Sequence, residues 1–598
     1  MKKRKKKGLS MLLGVAGLLA ALSGCVLFGI LHGERPYLQN GISEAVKPAG
    51  GEMAGLSGID EPEQTRIILS QDGSSVSGPG ADVSGNTVTI DRGGSYRLSG
   101  TLEDGQVYVD AGGKETVELV LDGVDITNLS DAAIHIENAG HTLILLEEGT
   151  FNRLQSGAEA EMEAAAQEDG QDAKGGALYA RDDLSVTGTG SLQVFGYMNN
   201  GIHTTNHLSI DSGNIEVEAL NNGIKGKDSV TVTGGSFSIR SGGDGIKSDD
   251  STGDGYGMIS IEGGEFSIQS QGDALQAETS LAISDGTFHI IAGGGSGNLF
   301  SRPQGSWENP DSGWDLSDMT QASAKGLKCG REIVVTGGSF FVDSYDDAVH
   351  SNGAVRILGG SLTLAAGDDG IHGDMELEIT GGDIRITKSY EGLEANQISI
   401  EGGVVDIVAD DDGINANGGP DGGWGWGREN TASKVKDMPN LTICGGEVKV
   451  DAGGDGFDSN GNISIEGGMV SIDGPSSNWN GAIDSGSENG GSCTVSGGII
   501  LAVGSSGMAE TFDGSSTQCS FRHNFEHAYG AGSEVIIFDA EGNELFRHTA
   551  AKEMASVVFS SPELVLGETY ILSVGGETVE ITLDAVSTIS GRRGGWGW

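Results

Sequence analysis

Apolar and polar residues alternate in short runs through most of this chain. Leu377 and Ile379, for example, alternate with Glu378 and Thr380, and the same pattern resumes after the next pair of glycines. A period of two residues predicts β-strands with one buried face, whereas an amphipathic helix would show apolar residues three and four positions apart. The pattern therefore predicts an all-β protein built from short strands.

The alternating runs recur at a fixed distance along the chain. The second glycine of a Gly-Gly pair falls at Gly338, Gly360, Gly382 and Gly403, so the steps are 22, 22 and 21 residues. A fixed period of this size is typical of solenoid proteins. Each repeat holds two alternating runs and a shorter third run, separated by Gly and Asn, which favour tight turns. Three strands in about 22 residues predict one coil of a parallel β-helix, and the crossover rule predicts a right-handed coil.

Breaks in this period divide the chain into six segments. We expect a signal peptide with a lipobox, or a membrane anchor, in residues 1–35, a flexible linker in 36–80, and an N-terminal cap with early coils in 81–176. A regular parallel β-helix with Trp-rich insertions is expected over 177–530, a small antiparallel β cap over 531–588, and a disordered tail over 589–598. The cap is expected because the last strands of a solenoid must be covered.

The third run of each repeat begins at a corner rich in acids. Two residues that follow one another along the chain fill this corner in three repeats, Asp346 with Asp347, Asp368 with Asp369, and Asp411 with Asp412. The column just before the internal Gly or Ala reads Asn200, Asn222, Asp244, Asp273, Lys325, Asp347, Asp369, Glu391, Asp412 and Asp455.

Stacked coils would place equivalent acids about 4.8 Å apart. Two carboxylates at that distance repel by about 1 kcal/mol in water and about 3.5 kcal/mol at an effective dielectric constant of 20. Calcium accepts carboxylate oxygens in a flexible cage, so the doubled acids favour a Ca²⁺ site, although any single aspartate is also an ordinary turn residue. The predicted metal ligands are Asp244, Asp273, Asp346, Asp347, Asp368, Asp369, Glu391, Asp411, Asp412 and Asp455.

A mixed column lies two residues after the internal glycine of each corner. An acid-sugar lyase would need a calcium-neutralised carboxylate beside a Lys or Arg base, and these residue types are spread along the column rather than gathered at one place. This spread favours binding over catalysis, and solvent-facing strand residues are the simpler alternative. The column reads His203, Lys225, Lys247, Gln276, Lys328, His350, His372, Glu394, Asn415, Asp458 and Asp484.

All seven tryptophans lie outside the regular strands. Exposed Trp rings offer rigid apolar faces at binding surfaces, and the faces of sugar rings stack on them. We therefore predict carbohydrate contacts for Trp307, Trp314, Trp424 and Trp426, with packing of the insertions against the solenoid as the alternative.

The composition narrows the choice of partners. The 598 residues include 86 Asp and Glu against 35 Lys and Arg, for a net charge of −51. Nucleic acid is not an expected partner, because phosphate binding needs a high density of Lys and Arg. The sequence favours a monomer that binds divalent cations and polysaccharide.

The N-terminus predicts export from the cytoplasm. A basic run, MKKRKKK, precedes an apolar stretch over residues 9–31, which is typical of an export signal. Residues 22–25, LSGC, resemble a lipobox in which Cys25 would be lipidated, while the full stretch is long enough for an uncleaved membrane anchor. Both alternatives place the protein outside the cell and tethered to the membrane.

Several motifs together resemble a known family. The chain resembles a family of secreted bacterial parallel β-helix proteins known as a carbohydrate-binding domain family. The motifs that carry the resemblance are the repeated GGxFxI and DGI coils, the early segments VELVLDGVDITN and AAIHIENAG, and the late segment GETYILSVGG. The resemblance covers about residues 86–583. It implies binding of cellulose or acidic sugars such as polygalacturonate, with calcium at the Asp-Asp-Gly corners. The fold also looks like that of pectate lyases, so a calcium-dependent lyase and a structural surface protein are the alternatives.

Overall fold

A computed structural model of the protein describes residues 64–158, 175–298, 323–417 and 438–592. Nearly all regular structure in these ranges is β-strand, and their helical elements are two short 3-10 turns, Ser296–Asn298 and Ser487–Asn489. Within these same ranges there is no helix with the length and apolar character that a membrane span requires. The all-β prediction is therefore confirmed.

The strands are short and follow one another closely. Before the first gap they are β1 (Thr65–Leu69), β2 (Ser75–Ser77), β3 (Ala81–Ser84), β4 (Thr87–Ile90), β5 (Gly94–Leu102), β6 (Gln106–Asn128), β7 (Ile134–Leu146) and β8 (Phe151–Ser156). Up to the second gap they are β9 (Gly176–Ala180), β10 (Leu184–Gly188), β11 (Ser191–Gly196), β12 (Asn200–Thr204), β13 (His207–Ile210), β14 (Asn214–Ala219), β15 (Ile224–Gly226), β16 (Ser229–Val232), β17 (Ser236–Ser241), β18 (Ile246–Ser248), β19 (Met258–Ile261), β20 (Glu265–Ser270), β21 (Leu275–Ala277), β22 (Ser280–Ile283) and β23 (Thr287–Ala292).

The remaining strands continue the same succession. Up to the third gap they are β24 (Leu327–Cys329), β25 (Glu332–Val335), β26 (Ser339–Ser344), β27 (Val349–Ser351), β28 (Ala354–Ile357), β29 (Ser361–Ala366), β30 (Ile371–Ile379), β31 (Asp383–Lys388), β32 (Leu393–Ile400), β33 (Val404–Ala409) and β34 (Ile414–Ala416). After it they are β35 (Asn440–Ile443), β36 (Glu447–Ala452), β37 (Phe457–Ser459), β38 (Asn462–Ile465), β39 (Met469–Asp473), β40 (Ile483–Ser485), β41 (Cys493–Val495), β42 (Ile499–Gly504), β43 (Ser520–Tyr529), β44 (Glu534–Phe538), β45 (Glu544–Thr549), β46 (Met554–Ser560), β47 (Thr569–Val574), β48 (Glu577–Thr582) and β49 (Ser587–Gly591).

Most strands of the regular coils pair in parallel with the strand three places further along the chain, and the step is two around β30 and β32, each of which continues through a corner. Thus β14 pairs with β17, β15 with β18, and β16 with β19. Consecutive strands therefore belong to three different rows, and each row grows by one strand per coil. This pairing is consistent with the parallel β-helix that the repeat predicts.

Alternation along the strands builds the core. In β17, Phe237, Ile239 and Ser241 are buried, while Ser236, Ser238 and Arg240 are exposed. The alternation and the glycine spacing predict that the equivalent apolar residues of the neighbouring coils also face inward. Each of the following is fully buried: Ile357, Leu364, Ile379, Ile386, Ile400 and Ile407.

Glycine at the second position of each Gly-Gly pair has a steric reason. Gly382 has φ = 99°, in the region that side chains rarely adopt. A Cβ at this residue would lie 3.1 Å from the carbonyl oxygen of Gly360 on the preceding coil. The corner therefore excludes larger residues both by its backbone conformation and by the close approach of its neighbour.

The structure differs from the sequence prediction at both ends of the solenoid. Strand β1 lies inside the segment predicted to be a linker, because Ile67 and Leu69 are buried and β1 pairs in parallel with β5. Strand β49 reaches Gly591, inside the predicted tail, because it pairs with β43. The predicted cap segment contains a four-stranded antiparallel sheet, in which the strand order is β45-β44-β47-β48.

Candidate functional site

The mixed column is a continuous row of neighbouring side chains on the third strand of each coil. Parallel register places Lys225 beside Lys247, His350 beside His372, and His372 beside Glu394. The row continues through Asn415, Asp458 and Asp484. It also extends upstream of its predicted start at His203, through Tyr179, His135 and Tyr108.

This upstream end of the row is aromatic. The rings of Tyr108, His135, Tyr179 and His203 follow one another with centroids 5.1 to 5.3 Å apart. The sequence prediction missed it because the early coils do not keep the glycine period. The signal that could have found it is the alignment of AAIHIENAG and GALYARDD with the later third strands.

The residues just before the internal Gly or Ala of each corner, from Asn200 to Asp455, form a second row, which we call the ladder. Each of these residues is one rung. At several rungs one side-chain oxygen accepts the backbone N–H of the next rung: Asn222 from Asp244 at 3.1 Å, Asp244 from Asp273 at 2.9 Å, and Asp347 from Asp369 at 3.0 Å. Asn222 makes this bond as well as an aspartate does. The bond therefore requires an acceptor oxygen and not a charge, which accounts for both residue types at this corner.

In the first part of the ladder, the second carboxylate oxygen lies near a lysine ammonium group, which comes from three residues on in one rung and from the next coil in the other. Asp244 Oδ2 lies 2.9 Å from Lys247 Nζ, and Asp273 Oδ2 lies 3.4 Å from Lys328 Nζ. Burial nevertheless raises the pKa of Asp273, although Lys328 opposes the shift. These two predicted metal ligands are therefore already paired with lysine side chains.

Lys325 interrupts the acidic ladder and supplies a buried cation. Its ammonium group lies 3.1 Å from Asp346 and also contacts Asp347. Burial opposes its charge, but the two carboxylates outweigh burial and raise the pKa of Lys325. Burial likewise opposes the charge of Asp347, but a hydrogen bond from His350 and the charge of Lys325 lower the pKa of Asp347. The Lys325 ammonium group and the Asp347 carboxylate therefore favour each other's ionised form without a metal.

The last part of the ladder has a different composition. The side chain three residues after each rung is no longer basic. It is Glu394 after Glu391, Asn415 after Asp412 and Asp458 after Asp455. Within the described ranges, no Lys, Arg or His side chain contacts the carboxylates of Glu391, Asp412 or Asp455. Burial, reinforced by neighbouring carboxylates, raises the pKa of Glu391 to about 9, that of Asp412 to about 8 and that of Asp455 to about 9. A divalent cation would favour their ionised form.

Asn415 adds an oxygen ligand to this acidic part. Its side chain is 4% exposed, and its Nδ2 donates to Glu391 Oε2 at 2.8 Å. Its Oδ1 has no hydrogen-bond partner among the described residues. Parallel register places it between Glu394 and Asp458. A buried acceptor beside carboxylates suits an oxygen-binding cation such as Ca²⁺.

Two histidines mark the boundary between the two parts of the ladder. The rings of His350 and His372 stand with centroids 4.8 Å apart, at an interplanar angle of 77°. Carboxylates surround them, and two groups of three residues bring their ligand atoms within 4.8 Å of one another: Asp347, His350 and His372, and Asp369, His372 and Glu394. A third such group consists of Asp346, Asp347 and Asp368.

The other predicted site residues fall outside the described ranges. Trp307, Trp314, Trp424, Trp426 and Cys25 all lie there, so their roles stay predictions. Trp479 is described and is 83% exposed. The predicted ligands Asp368 and Asp411 line the corner beside the ladder and are partly buried.

This chain is similar to part of a curated relative and to a solved structure. A curated relative from Acetivibrio thermocellus, described as a carbohydrate-binding domain-containing protein, is 44% identical over 141 residues, which cover 23% of this chain and 48% of the relative. The chain thus matches about half the length of that relative. A solved polysaccharide lyase-like protein from C. thermocellum, a gadolinium derivative, is 29% identical, with 49% of this chain and 96% of that chain covered and a TM-score of 0.35.

The family comparison covers far more of the chain. The family described as carbohydrate-binding domain-containing protein matches residues 84–370 and 368–500, which together span most of the solenoid. The matched segments include the ladder, the histidine pair and the mixed column. The chain belongs to this family of carbohydrate-binding domain-containing proteins.

Proposed function

We propose that this protein binds polysaccharide without cleaving it and that Ca²⁺ on the last part of the ladder takes part in binding acidic glycans. Family membership supports carbohydrate as the ligand class. The observation that carries the metal is the partly buried set Glu391, Asp412 and Asp455, whose described surroundings contain acids and Asn415 but no contacting cationic side chain. Ca²⁺ prefers such carboxylate and amide oxygens.

Bound calcium would also reduce the electrostatic repulsion between this acidic protein and an acidic glycan. A chain of net charge −51 repels an anionic polymer such as polygalacturonate. A cation held at the corner offers coordination positions to sugar carboxylates and inverts the local charge. Neutral glucans such as cellulose need no such bridge, and their binding would depend on aromatic contacts.

Affinity electrophoresis tests both parts of this proposal. We expect polygalacturonate to retard the protein in Ca²⁺, and the retardation to disappear in chelator. The double variant Asp412→Asn with Asp455→Asn should lose calcium-dependent binding, because each Asn keeps the ladder acceptor oxygen but removes a charge. Asp244→Asn is the matched control, because Asp244 is already paired with Lys247. Calcium-independent retardation, or equal behaviour of the two variants, would refute the calcium bridge.

The same samples test for catalysis. Incubation of the protein with polygalacturonate and Ca²⁺ should give no unsaturated product, measured by ultraviolet absorbance. Product formation that is lost in chelator would replace the binding proposal with the lyase alternative.

The Trp-rich insertions are the proposed contacts for sugar rings. Replacement of Trp424 and Trp426 by Ala should weaken retention on cellulose while the melting temperature stays the same. A lower melting temperature with unchanged retention would assign these rings to packing against the solenoid.

We further propose that the protein works outside the cell, tethered to the membrane. The support is the basic and apolar N-terminal pattern with LSGC at residues 22–25. Cys25→Ala should abolish labelling with a radioactive fatty acid. Unchanged size and membrane retention in that variant would favour an uncleaved anchor.

A further inference from the structure

The boundary between the two parts of the ladder brings one imidazole and two carboxylates close together. His372 Nδ1 lies 3.2 Å from Asp369 Oδ2 and 3.6 Å from Glu394 Oε2. The three residues come from two adjacent coils, because Asp369 and His372 flank the start of β30 and Glu394 is the register partner of His372 on β32. Asp369 and His372 are 4% and 1% exposed, so the group sits beneath the surface.

From this geometry we infer that Asp369, His372 and Glu394 form a binding site for a transition-metal dication of the zinc class. Zinc binds nitrogen and carboxylate oxygen at about 2.0–2.2 Å in tetrahedral geometry. Two ligand atoms of such a tetrahedron lie about 3.3 Å apart, from the same bond length. The distances of 3.2 and 3.6 Å at His372 Nδ1 match that edge with little movement of the side chains.

The donor set separates this site from the calcium proposed on the later rungs. Calcium takes oxygen ligands, whereas imidazole suits Zn²⁺, Cu²⁺, Ni²⁺ and Fe²⁺. Two carboxylates and one neutral imidazole also balance the charge of one dication. The inference stands on these three residues and does not depend on calcium or on glycan binding.

The neighbouring group of three residues is less suited to a metal. Asp347 and His350 approach each other at 2.8 Å, which is a hydrogen bond, and Lys325 already contacts the Asp347 carboxylate. A metal at Asp347 would have to displace this ammonium group. The carboxylates of Asp369 and Glu394 therefore make the better partners for His372.

Asp374 lies on the opposite side of the His372 ring. Its Oδ1 is 3.6 Å from His372 Nε2 and 4.0 Å from His350 Nε2. Metal-bound histidines commonly donate their other ring N–H to a carboxylate, which fixes the tautomer and the ring orientation. A small rotation of Asp374 would give His372 this support and leave Nδ1 for the metal.

Three protein ligands leave one tetrahedral position for an outside ligand. Structural zinc sites use four protein ligands, while sites that bind water or substrate keep one position open. The Glu394 side chain is 12% exposed, so access comes from its side of the cluster. A water molecule or a sugar oxygen would fill this position.

Cobalt and zinc serve as the test ligands, with the full chain stripped in chelator and then kept in excess Ca²⁺. We expect one Zn²⁺ per chain by equilibrium dialysis and visible d–d absorption from Co²⁺ that Zn²⁺ displaces. His372→Gln should weaken Zn²⁺ binding by more than about 100-fold, because loss of a supporting carboxylate alone costs about 10–100-fold. Asp374→Asn should fall within that smaller range. His203→Gln, which changes another buried histidine of the same row, should bind as the wild type does.

X-ray absorption of the zinc-loaded wild type keeps the test independent of how the variants fold. Scattering from one imidazole and an otherwise oxygen shell is the expected result. An oxygen-only shell, no uptake of zinc, or wild-type affinity in folded His372→Gln would overturn the site. Polygalacturonate binding in Ca²⁺ would be unaffected by that outcome, so the two proposals fail separately.

Discussion

At the scale of single residues, the two oxygens of each ladder aspartate have different roles. Oδ1 of Asp347 and of Asp412 accepts the amide of the next rung, at 3.0 and 2.6 Å. Oδ2 of Asp347 contacts His350, three residues on. The residue three positions after Asp412 is the uncharged Asn415, so the same corner holds a basic side chain in one coil and none in another.

Asparagine substitution separates these roles at two rungs. Asp347→Asn keeps the acceptor but leaves the buried Lys325 without its closest counter-charge, and breaking such a buried pair costs about 3–5 kcal/mol. Asp455 has to take up a proton to fold into this acidic corner without metal, and Asp455→Asn removes that requirement, so the melting temperature in chelator should stay equal or rise. Thermal melts followed by circular dichroism distinguish the two. An equal loss in both variants would mean that the charge of Oδ2 has no bearing on stability.

At the scale of the elements, identical residues stack over four successive coils in one row of strands. Phe237, Phe266, Phe288 and Phe340 occupy equivalent positions in β17, β20, β23 and β26, with ring centroids 4.5 to 4.7 Å apart and planes within 4° of parallel. Isolated rings prefer an offset or edge-on arrangement. Here the strand spacing of about 4.8 Å fixes the separation, and the solenoid imposes the stack.

The position of a phenylalanine in this stack should determine its contribution. Phe288→Ala should destabilise the protein by about 3–5 kcal/mol, as for other buried aromatics. Phe237→Ala, at the end of the stack, loses one ring neighbour instead of two and should cost less by about 0.5–1.5 kcal/mol. Denaturant unfolding of both variants, with Phe288→Leu as a volume control, measures the difference. Equal losses would mean that burial alone accounts for the contribution of the rings.

The alternation of apolar and polar residues was enough to predict which side chains form the core, but not how the side chains at the corner pair with one another. Ile386 and Ile407 could be placed inside from period and glycine spacing, because one register error would expose every apolar residue of a strand. The pairing of Asp347 with Lys325 could not, because it depends on a side chain that reaches across a coil boundary. Lys325 was visible in the sequence as the one cation in an acidic column. Its role as a buried counter-charge became evident only from its contact with Asp347 in the structure.

At the scale of the whole molecule, charge changes sign along one row. Lys225, Lys247 and Lys328 come first, His350 and His372 follow, and the later positions are Glu394, Asp458 and Asp484. At one end, an anionic glycan laid along this row would meet lysines whose charges are balanced by neighbouring aspartates, and at the other end it would need bound metal to offset the carboxylates. Binding along the full row should therefore depend on calcium more than binding of short oligomers at its basic end. Comparing the calcium dependence of a long and a short oligogalacturonate checks this, and equal dependence would place both on the same half.

The acidic end also predicts how stability depends on pH without metal. In the folded protein the pKa values of Glu391, Asp412 and Asp455 are about 9, 8 and 9, against about 4 in an unfolded chain. The folded state therefore holds more protons, so by linkage its stability is greatest below about pH 4 for these groups and is lost as pH rises towards about 9.

In chelator, the melting temperature should accordingly fall between about pH 5 and about pH 9, whereas Ca²⁺ should flatten the curve by replacing these protons. The stabilisation by Ca²⁺ should then grow with pH, and its binding should release protons that calorimetry in two buffers can count. The double variant Asp412→Asn with Asp455→Asn should show a shallower fall in chelator, since two of the titrating groups are gone. A chelated protein whose melting temperature is constant or rises over this range would mean that these carboxylates are ionised in the folded state without metal, and the need for a cation at the acidic end of the ladder would disappear.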